Sequence, residues 1–438
     1  MTREVVLSVL LSVNRGQAAD ASLNQAVKKA GLDRRDAALC HALTYGVLQT
    51  RYKLDTVILS FSSLKLNKIA PKVLEILRIG AYQMLYMDKI PHSAAVNESV
   101  KLARKHANPR AAGFVNAVLR KISTACDVGM PETDRSDLTE YLHIEYSFPV
   151  WFVDKMRRIL GDEEACRFLA ASNADAPVTA RLNTLVCDVK TSKARLAEDG
   201  IGCSDSPFAS ETVYVTQLGN PEDSKAFRDG VFTIQDAASQ LCVHALAPKP
   251  NASILDVCAA PGGKSYAAAA MTDNTSDIRS FDAAAGKLEA MDEHAKRLHV
   301  TSMRTACMDA SVHVAALENS ADYLICDVPC SGLGVIRKKP DIRYKSVDDI
   351  SKLPALQKKI IDNVSTYVKR GGVMVYSTCT ILPEENEEIV TAFLKSHPNY
   401  HLEPFSLPGI GDVTQGYITL YPHIHNTDGF FIAKLRRN

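Results

Sequence analysis

The spacing of apolar residues changes along the chain and divides it into regions. In the first region apolar residues recur at every third or fourth position, as in "DRRDAALCHALTYGVLQT" and "PKVLEILRIGAYQMLYM". That period is typical of amphipathic helices. Asp33 precedes the first segment as an N-cap, and Pro71 stands in the first turn of the second. The pattern predicts an all-α bundle of about six or seven short helices over residues 1–126.

A polar stretch and a mixed region follow. Residues 127–140, "DVGMPETDRSDLTE", are acidic and lack an apolar period, which is typical of a linker. Over residues 141–230, helical segments such as "PVWFVDKMRRILG" and "DEEACRFLAASN" occur with the strand-like segments "VTARLNTL" and "TVYVTQL". We therefore expect a small α+β module between residues 141 and 230.

The last region, residues 231–438, alternates apolar strands with helix-length segments. The predicted strands are "SILDVC", "IRSFD", "RTACM", "ADYLICD", "GGVMVYSTC" and a final "GFFIAKLRR". Helical patterns such as "GKLEAMDEHAKRL" and "LPALQKKIIDNVSTYVKR" separate several of them. This alternation predicts βαβ units and a parallel sheet covered on both faces, in an α/β Rossmann-like domain.

Composition narrows the class of protein. The chain has 438 residues, of which 46% are hydrophobic and 23% charged, as in a soluble multidomain protein. In "MTREVVLSVLLSVNRG", charged residues precede the apolar stretch and no cleavage site follows, so we expect an amphipathic helix, a cytoplasmic protein and no membrane contact. The 11 cysteines are then reduced, and the lack of any C-x-x-C pair predicts no metal.

The net charge of +1 conceals an asymmetry along the chain. Residues 1–126 contain 19 Lys and Arg but only 8 Asp and Glu, so the remainder is acidic. A basic region of this kind indicates a polyanionic partner such as nucleic acid, and a solvated basic surface is the alternative.

One glycine-containing segment is a candidate cofactor loop. "LDVCAAPGGKS" (255–265) follows a predicted strand and opens a helix, but it lacks the first glycine of a phosphate-binding loop. The next strands end at or just before Asp282, Asp309 and Asp327, where a parallel sheet binds ligands. A ribose and adenine site without a phosphate cradle favours S-adenosylmethionine over a dinucleotide, and a simple tight turn is the alternative for the loop.

Two cysteines lie at the same predicted edge of the sheet. Cys330 in "DVPCSG" and Cys379 in "YSTCTILPEENEE" each follow a strand. A thiolate is a strong nucleophile, although a single cysteine is more often a small buried residue.

Together, "DVCAAPGGKS", "DVPCSGLGVIRKKPDIR" and "STCTILPEENEE" resemble the Sun-type RNA cytosine-5 methyltransferases. The resemblance extends over essentially the whole chain. "HSAAVNESVKLARK" and "GFVNAVLR" are similar to the family's NusB-like helical domain, "RLNTL" and "GVFTIQDAASQL" to its middle module, and "DGFFIAKL" to its closing strand. Bacterial members that methylate a cytosine of small-subunit ribosomal RNA are the most similar.

The resemblance implies a reaction and a set of residues. Cys379 corresponds to the nucleophile that attacks carbon 6 of cytosine, Cys330 to the cysteine that helps release the product, and Asp327 to a group beside base and cofactor. The implied cofactor-binding residues are Cys258, Ala259, Ala260, Pro261, Gly262, Gly263, Lys264, Asp282, Asp309 and Asp327. The chain differs from the family's usual pattern at Met308, where glycine is common, in "FDAAAGKL", and in "TCT", which replaces the commoner T-C-S.

The implied partner is 16S ribosomal RNA or a small-subunit precursor, bound by a monomer. The basic segment "RKKPDIRYK" (337–345) is expected to contact RNA phosphates, with Arg181 and Asn183 as further candidates. A transfer-RNA cytosine-5 methyltransferase and a non-catalytic RNA-binding assembly factor remain as alternatives, and the sequence does not specify the target nucleotide.

Overall fold

The computed structural model describes residues 1–130 and 132–438, which form two compact units. The first unit comprises Met1–Ala174 and Ile336–Lys345, and the second comprises Asp175–Val335 and Ser346–Asn438. Within the described residues, no helix is both long and apolar enough to cross a membrane.

The first unit is helical, as the apolar period predicts. Its helices are α1 (Thr2–Val13), α2 (Ala19–Ala30), α3 (Arg34–Gln49), α4 (Arg51–Phe61), α5 (Pro71–Tyr86), α6 (His92–His106), α7 (Pro109–Val128), α8 (Leu138–Tyr146), α9 (Val150–Leu160) and α10 (Asp162–Ala171). The Asp33 side chain accepts a hydrogen bond from the Asp36 N–H and caps α3, and Pro71 opens α5. Leu10, Leu43 and Leu77 lie in one buried apolar core.

The predicted linker is partly helical. Helix α7 runs to Val128 and α8 begins at Leu138, so both ends of residues 127–140 belong to helices. Asp137, an acidic residue of this stretch, caps α8 by accepting from the N–H groups of Thr139 and Glu140. Pro131 lies outside the described residues.

The basic segment 337–345 does not offer Arg343 and Tyr344 to RNA, contrary to the prediction. Arg343 is 1% exposed, and its guanidinium donates to the carbonyl oxygens of Gln49 and Ser147 at 2.8 and 2.9 Å. The Tyr344 hydroxyl donates to the Leu48 carbonyl at 2.5 Å. Both side chains donate hydrogen bonds to backbone carbonyls inside the helical unit. The pattern of charges along the sequence does not predict such contacts.

A four-stranded antiparallel sheet of order β2-β3-β1-β4 opens the second unit. Its elements are β1 (Thr179–Leu182), α11 (Val189–Glu198), β2 (Gly202–Asp205), β3 (Thr212–Thr216), α12 (Lys225–Arg228) and β4 (Phe232–Ile234). The candidate RNA contacts Arg181 and Asn183 are buried here. Arg181 donates to the Gln235 side chain at 2.9 Å, and Asn183 donates to the Gly230 and Leu298 carbonyls, so both are structural.

The remainder of the second unit is an α/β domain. Its elements are α13 (Ala237–Leu246), β5 (Ser253–Asp256), α14 (Gly263–Met271), β6 (Asp277–Asp282), α15 (Leu288–Arg297), β7 (Met303–Cys307), β8 (Ala321–Asp327), α16 (Val347–Ile350), α17 (Leu353–Val364), β9 (Val368–Thr378), α18 (Glu387–Ser396), β10 (Tyr400–Leu402), β11 (Phe405–Leu407), β12 (Gly411–Val413), β13 (Tyr417–Leu420), α19 (Pro422–His425) and β14 (Phe430–Arg437). Strands β11 and β12 form a separate hairpin.

The large sheet is mixed rather than wholly parallel. Its order is β10-β14-β9-β8-β5-β6-β7, with β13 paired to β14. Strands β5 to β9 pair in parallel, whereas β14 pairs antiparallel with β9, β10 and β13. The sequence analysis missed the antiparallel edge because it relied on strands alternating with helix-length segments. Antiparallel strands need only a short connection, and no helix-length segment separates β13 from β14.

Both faces of this sheet are covered, as predicted. Along β8, Ile325 packs into one apolar core while its neighbours Leu324 and Cys326 pack into the core on the other face. The helix predicted to run through "VSTYVKR" ends earlier, at Val364, and Val368 begins β9. The β-branched and apolar residues there pair with β8 instead of extending the helix.

Candidate active site

The candidate cofactor loop connects β5 to α14 and depends on Gly262. This residue has φ +100°, a conformation that L side chains rarely adopt. A Cβ at this position would lie 2.3 Å from Cζ of Tyr266, whose ring packs against the loop. The Tyr266 hydroxyl donates to the Pro261 and Met291 carbonyls, so the ring is fixed and the loop backbone approaches it closely.

Asp282 ends β6 and contacts this loop directly. Its Oδ2 accepts from the Ala260 N–H at 3.1 Å, and its Oδ1 accepts from the Ala284 N–H at 2.9 Å. Each carboxylate oxygen accepts more than one hydrogen bond, so capacity remains for ligand hydroxyls. Asp309 is exposed and accepts from the Ser311 N–H at 2.8 Å, a contact that lowers its pKa.

Lys264, which is buried, forms an ion pair with Asp327, which is half-buried. The Lys264 Nζ lies 2.6 Å from Asp327 Oδ2, and Ser377 Oγ donates to Asp327 Oδ1 at 2.7 Å. Burial opposes the charge on Lys264, but the neighbouring Asp327 carboxylate outweighs it and raises the pKa of the ammonium group above its usual value. The Lys264 ammonium also lies 5.1 Å from the ring centroid of Phe430, on β14. The Lys264 side chain is thus charged, and contacts from β9 and β14 hold the pair in place.

The two candidate cysteines lie side by side. Cys330 Sγ and Cys379 Sγ are 3.2 Å apart, and both side chains are half-buried. The hydrogen bond with Cys379, burial and the nearby carboxylates of Glu385 and Asp327 raise the pKa of Cys330 well above its usual value. Cys330 is therefore a neutral thiol at neutral pH.

Backbone and side-chain hydrogen bonds tie the loops that carry these cysteines. The Gly334 N–H donates to the Cys379 carbonyl at 3.0 Å, and Ser331 Oγ lies 2.7 Å from Thr380 Oγ1. The Val328 N–H donates to the Ser377 carbonyl at 3.1 Å. The spacing of the thiols is therefore fixed by the ends of β8 and β9.

Several residues near the site escape sequence reasoning. Asp256 ends β5, is 1% exposed and accepts from Ser265 Oγ at 2.7 Å. Burial raises its pKa to about 7. Its position at a strand end is the signal that singles out Asp282 and Asp327, and the same reasoning would have found it. Gln357 and Glu385, both fully buried beside the Cys330 loop, have no such signal.

The structure brings the candidate residues together in part. Cys330 pairs with Cys379, Asp327 with Lys264, and Asp282 with the loop at Ala260. Cys258 is half-buried, and burial together with neighbouring carboxylates raises its pKa above the usual thiol value, so it is not an activated nucleophile. Over residues 1–130 and 132–438, no cluster of three His, Cys, Asp or Glu could hold a metal ion.

A mixed sheet with this loop at its carboxyl edge and a thiol pair beside it defines a methyltransferase domain of the Rossmann-like class. Three family models match the chain: the NusB family over residues 1–124, the RsmF/B-like ferredoxin-like domain over 148–220, and the 16S rRNA methyltransferase RsmB/F over 243–436. The probable ribosomal RNA small subunit methyltransferase B of Bacillus subtilis is 34% identical, over 99% of this chain and 98% of that protein. The chain therefore belongs to the RsmB/F family of methyltransferases.

Solved structures agree with the fold. The crystal structure of PH0851 superimposes with a TM-score of 0.83 and 25% identity, covering 99% of this chain and 98% of that one. A methyltransferase homologue from Pyrococcus horikoshii gives a TM-score of 0.61 and 29% identity, covering 69% of this chain and all of that one. The fold of nearly the whole chain is thus shared with the first of these structures, and the fold of about two thirds of it with the second.

Proposed function

We propose that this protein transfers a methyl group from S-adenosylmethionine to carbon 5 of a cytosine in 16S ribosomal RNA, through a covalent adduct with Cys379. The observation that carries the proposal is the pair of thiols 3.2 Å apart, next to the Lys264–Asp327 ion pair. Cytosine carbon 5 is a poor nucleophile until a thiolate adds to carbon 6, so this chemistry requires a cysteine at the site.

The loop and strand ends fit S-adenosylmethionine, which would supply an electrophilic methyl group. The fit rests on the close backbone approach at Gly262 and on the Asp282 carboxylate, which the Ala260 N–H holds against the loop. Residues Cys258–Lys264 would surround the cofactor, Asp282 would accept from its ribose hydroxyls, and the exposed Asp309 would accept from its adenine amine. The turn between β5 and α14 lacks the glycine spacing of dinucleotide sites, which favours S-adenosylmethionine over a dinucleotide.

Cys379 acts as the nucleophile and Cys330 supports it. The neutral Cys330 thiol donates its hydrogen to the Cys379 sulfur, which stabilises the thiolate form of Cys379. Attack forms the bond between Sγ and carbon 6 and moves the electron pair of the double bond toward carbon 5. Carbon 5 would then take the methyl group as the bond from that group to the sulfur of S-adenosylmethionine breaks and S-adenosylhomocysteine leaves. After a base removes the carbon 5 proton, the bond to Sγ breaks, and Cys330 assists this release.

Asp327 and Lys264 bind the cytosine ring and stabilise the charge that develops on it. Lys264 and Ser377 each contact one oxygen of Asp327, and the remaining lone pairs of the carboxylate could accept from a ligand at the strand ends. Those lone pairs would accept from the amino group of the base. The Lys264 ammonium compensates the negative charge that the ring gains when the adduct forms.

Recognition of the RNA is proposed for the basic N-terminal region. Residues 1–126 carry the excess of Lys and Arg, and the NusB family model matches nearly the same residues. Contacts of this type go mainly to phosphates and weaken with salt. The substrate class itself rests on the relatives, which are named for the small ribosomal subunit.

The test is an assay with labelled S-adenosylmethionine and 16S ribosomal RNA from cells lacking this protein, followed by nucleoside mass spectrometry. We expect 5-methylcytidine with wild type and none with Cys379→Ala. RNA that binds tightly but stays unmethylated would instead support the non-catalytic assembly factor. Methylation of transfer RNA in its place would support the transfer-RNA enzyme.

A further inference from the structure

Two buried polar side chains hold the backbone on both sides of Cys330. The Gln357 Nε2 donates to the carbonyl of Pro329, the preceding residue, at 2.9 Å. Glu385 Oε2 accepts from the N–H of Ser331, the following residue, at 2.9 Å. Gln357 Nε2 also donates to Glu385 Oε2 at 2.8 Å, so the two side chains form one bridge.

The bridge connects three separate parts of the domain. Gln357 lies on α17, Cys330 follows β8, and Glu385 lies six residues after Cys379. The Glu385 carbonyl in turn accepts from the Tyr376 hydroxyl at 2.7 Å, which anchors the Glu385 segment to β9. A displacement of any of these elements would therefore be transmitted to Cys330.

Burial makes this arrangement costly unless the hydrogen bonds are made. Gln357 and Glu385 are both 0% exposed. A buried amide or carboxylate loses its hydrogen bonds to water, and hydrogen bonds within the protein only partly compensate this loss of free energy. Apolar side chains of similar size would fill the same space with less cost. The polar pair thus contributes specificity of position rather than packing.

We infer that Glu385 and Gln357 are positioning residues that hold Cys330 against Cys379 for release of the methylated product. The inference rests on the proposed function. Their hydrogen bonds to this loop go to the Pro329 carbonyl and the Ser331 N–H. They act through the backbone of residues 329–331, and a shift of about 1 Å at a reacting group can slow a step roughly a hundredfold.

The decisive variant is Gln357→Leu, which removes both hydrogen bonds without changing charge. The matched control is Gln240→Leu, because Gln240 is also a buried helical glutamine that donates to a carbonyl, at 2.9 Å, and accepts from a threonine hydroxyl, at 2.7 Å. Each protein is mixed with 16S RNA and S-adenosylmethionine. Denaturing gels give the fraction of protein bound covalently to RNA, and mass spectrometry gives the turnover.

A positioning role and a structural role give different results. If Cys330 is displaced, turnover falls roughly tenfold or more while the covalent fraction rises, since the adduct still forms but breaks slowly. If the substitution only loosens the domain, turnover and covalent fraction fall together, as expected for Gln240→Leu. The second result would overturn the inference.

Glu385→Gln keeps the shape and one oxygen that accepts from Ser331 and Gln357, but it loses the charge that strengthens these bonds. We expect a covalent fraction between those of wild type and Gln357→Leu. Should Gln357→Leu fail to fold, Glu385→Gln decides alone: an unchanged covalent fraction contradicts the positioning role. Wild type that makes no 5-methylcytidine would instead contradict the proposed function.

Discussion

At the scale of single residues, the main feature is the environment of Cys330. Its hydrogen bond with Cys379, its burial and the nearby carboxylates of Glu385 and Asp327 raise its pKa well above the usual thiol value, so it stays protonated at neutral pH. A neutral thiol 3.2 Å from the Cys379 sulfur suits the proposed reaction, in which Cys379 is the nucleophile and Cys330 assists release.

Replacement of Cys330 with alanine is expected to trap the protein on its RNA. The adduct still forms through Cys379, but its release loses the assisting thiol, so a covalent complex accumulates and turnover falls by roughly a hundredfold or more. The measurement is a denaturing gel of protein with labelled RNA and S-adenosylmethionine. Cys203→Ala, a change to a half-buried cysteine of the small sheet, serves as control and should turn over normally.

Asp256 is expected to make the stability of the second unit depend on pH. Its pKa is about 7 in the folded protein because it is buried, against an ordinary value near 3.8 in the unfolded chain. Between these values the folded state holds a proton that the unfolded state has lost, so stability falls as pH rises from about 4 to 7 and levels off above that.

The comparison with Asp256→Asn isolates this contribution. Asparagine keeps an oxygen that can accept from Ser265 Oγ but does not titrate. Urea unfolding followed by circular dichroism should show wild type losing stability relative to the variant, by at most about 1.4 kcal/mol per pH unit, over that window. Parallel pH curves would contradict the raised pKa.

At the scale of elements, the carboxyl ends of the parallel strands assemble the site. Strands β5, β6, β8 and β9 end at Asp256, Asp282, Asp327 and Thr378, the residue before Cys379. Because these strands are parallel and adjacent, their ends lie at one edge of the sheet. Hydrogen bonds between the loops at this edge then bring the Asp327 carboxylate to Lys264 and the Cys330 thiol to Cys379.

Gly262→Ala is expected to weaken cofactor binding. The added methyl group would lie 2.3 Å from the Tyr266 ring, and the φ of +100° strains any residue with a Cβ. We expect a loss of about 1–3 kcal/mol of stability or of an equivalent binding affinity, measured by calorimetric titration with S-adenosylmethionine.

Gly286→Ala provides the control for this change. Gly286 follows β6, near the same edge of the sheet, but a Cβ there would meet no atom within 4 Å. Affinity and stability should therefore stay close to those of wild type. An equal loss in both variants would mean that the steric contact at Gly262 is not the cause.

At the scale of the whole molecule, chain order and compact units do not coincide. The segment Ile336–Lys345 belongs to the helical unit, although the sequence on both sides of it belongs to the α/β unit. Arg343 also lies over the Phe148 ring, 4.1 Å from its centroid, and donates to Asn173 Oδ1 at 3.1 Å. Contacts between residues so far apart in sequence are expected to slow folding.

Arg343→Ala is expected to destabilise the helical unit by about 3 kcal/mol or more, because three oxygen acceptors, on the buried Ser147 and the half-buried Gln49 and Asn173, lose their donor. The single tryptophan, Trp151 on α9, lies in this unit and reports its unfolding in urea by fluorescence. Arg34→Ala, at an exposed position of α3, should change stability by less than about 0.5 kcal/mol. Equal effects of the two changes would contradict the buried role of Arg343.

The sequence by itself determined the classes of structure and the residues at strand ends. Apolar periods identify the helices of the first unit and the strands β5 to β9, because burial of one face leaves a regular spacing in the chain. Asp282, Asp327, Cys330 and Cys379 stand out because they lie at or shortly after the ends of these apolar runs. These properties are local, because secondary structure and the ends of its elements depend mainly on residues that are neighbours in the sequence.

Tertiary structure alone decided what each polar residue contacts. Arg343 and Tyr344 look like RNA contacts but satisfy carbonyls inside the helical unit, and Arg181 and Asn183 are likewise structural. Gln357 reaches the Cys330 loop from 27 residues away in sequence. A hydrogen bond between residues far apart in sequence forms only where folding places a donor beside an acceptor. The pattern of neighbouring residues does not predict which donor and acceptor will be adjacent.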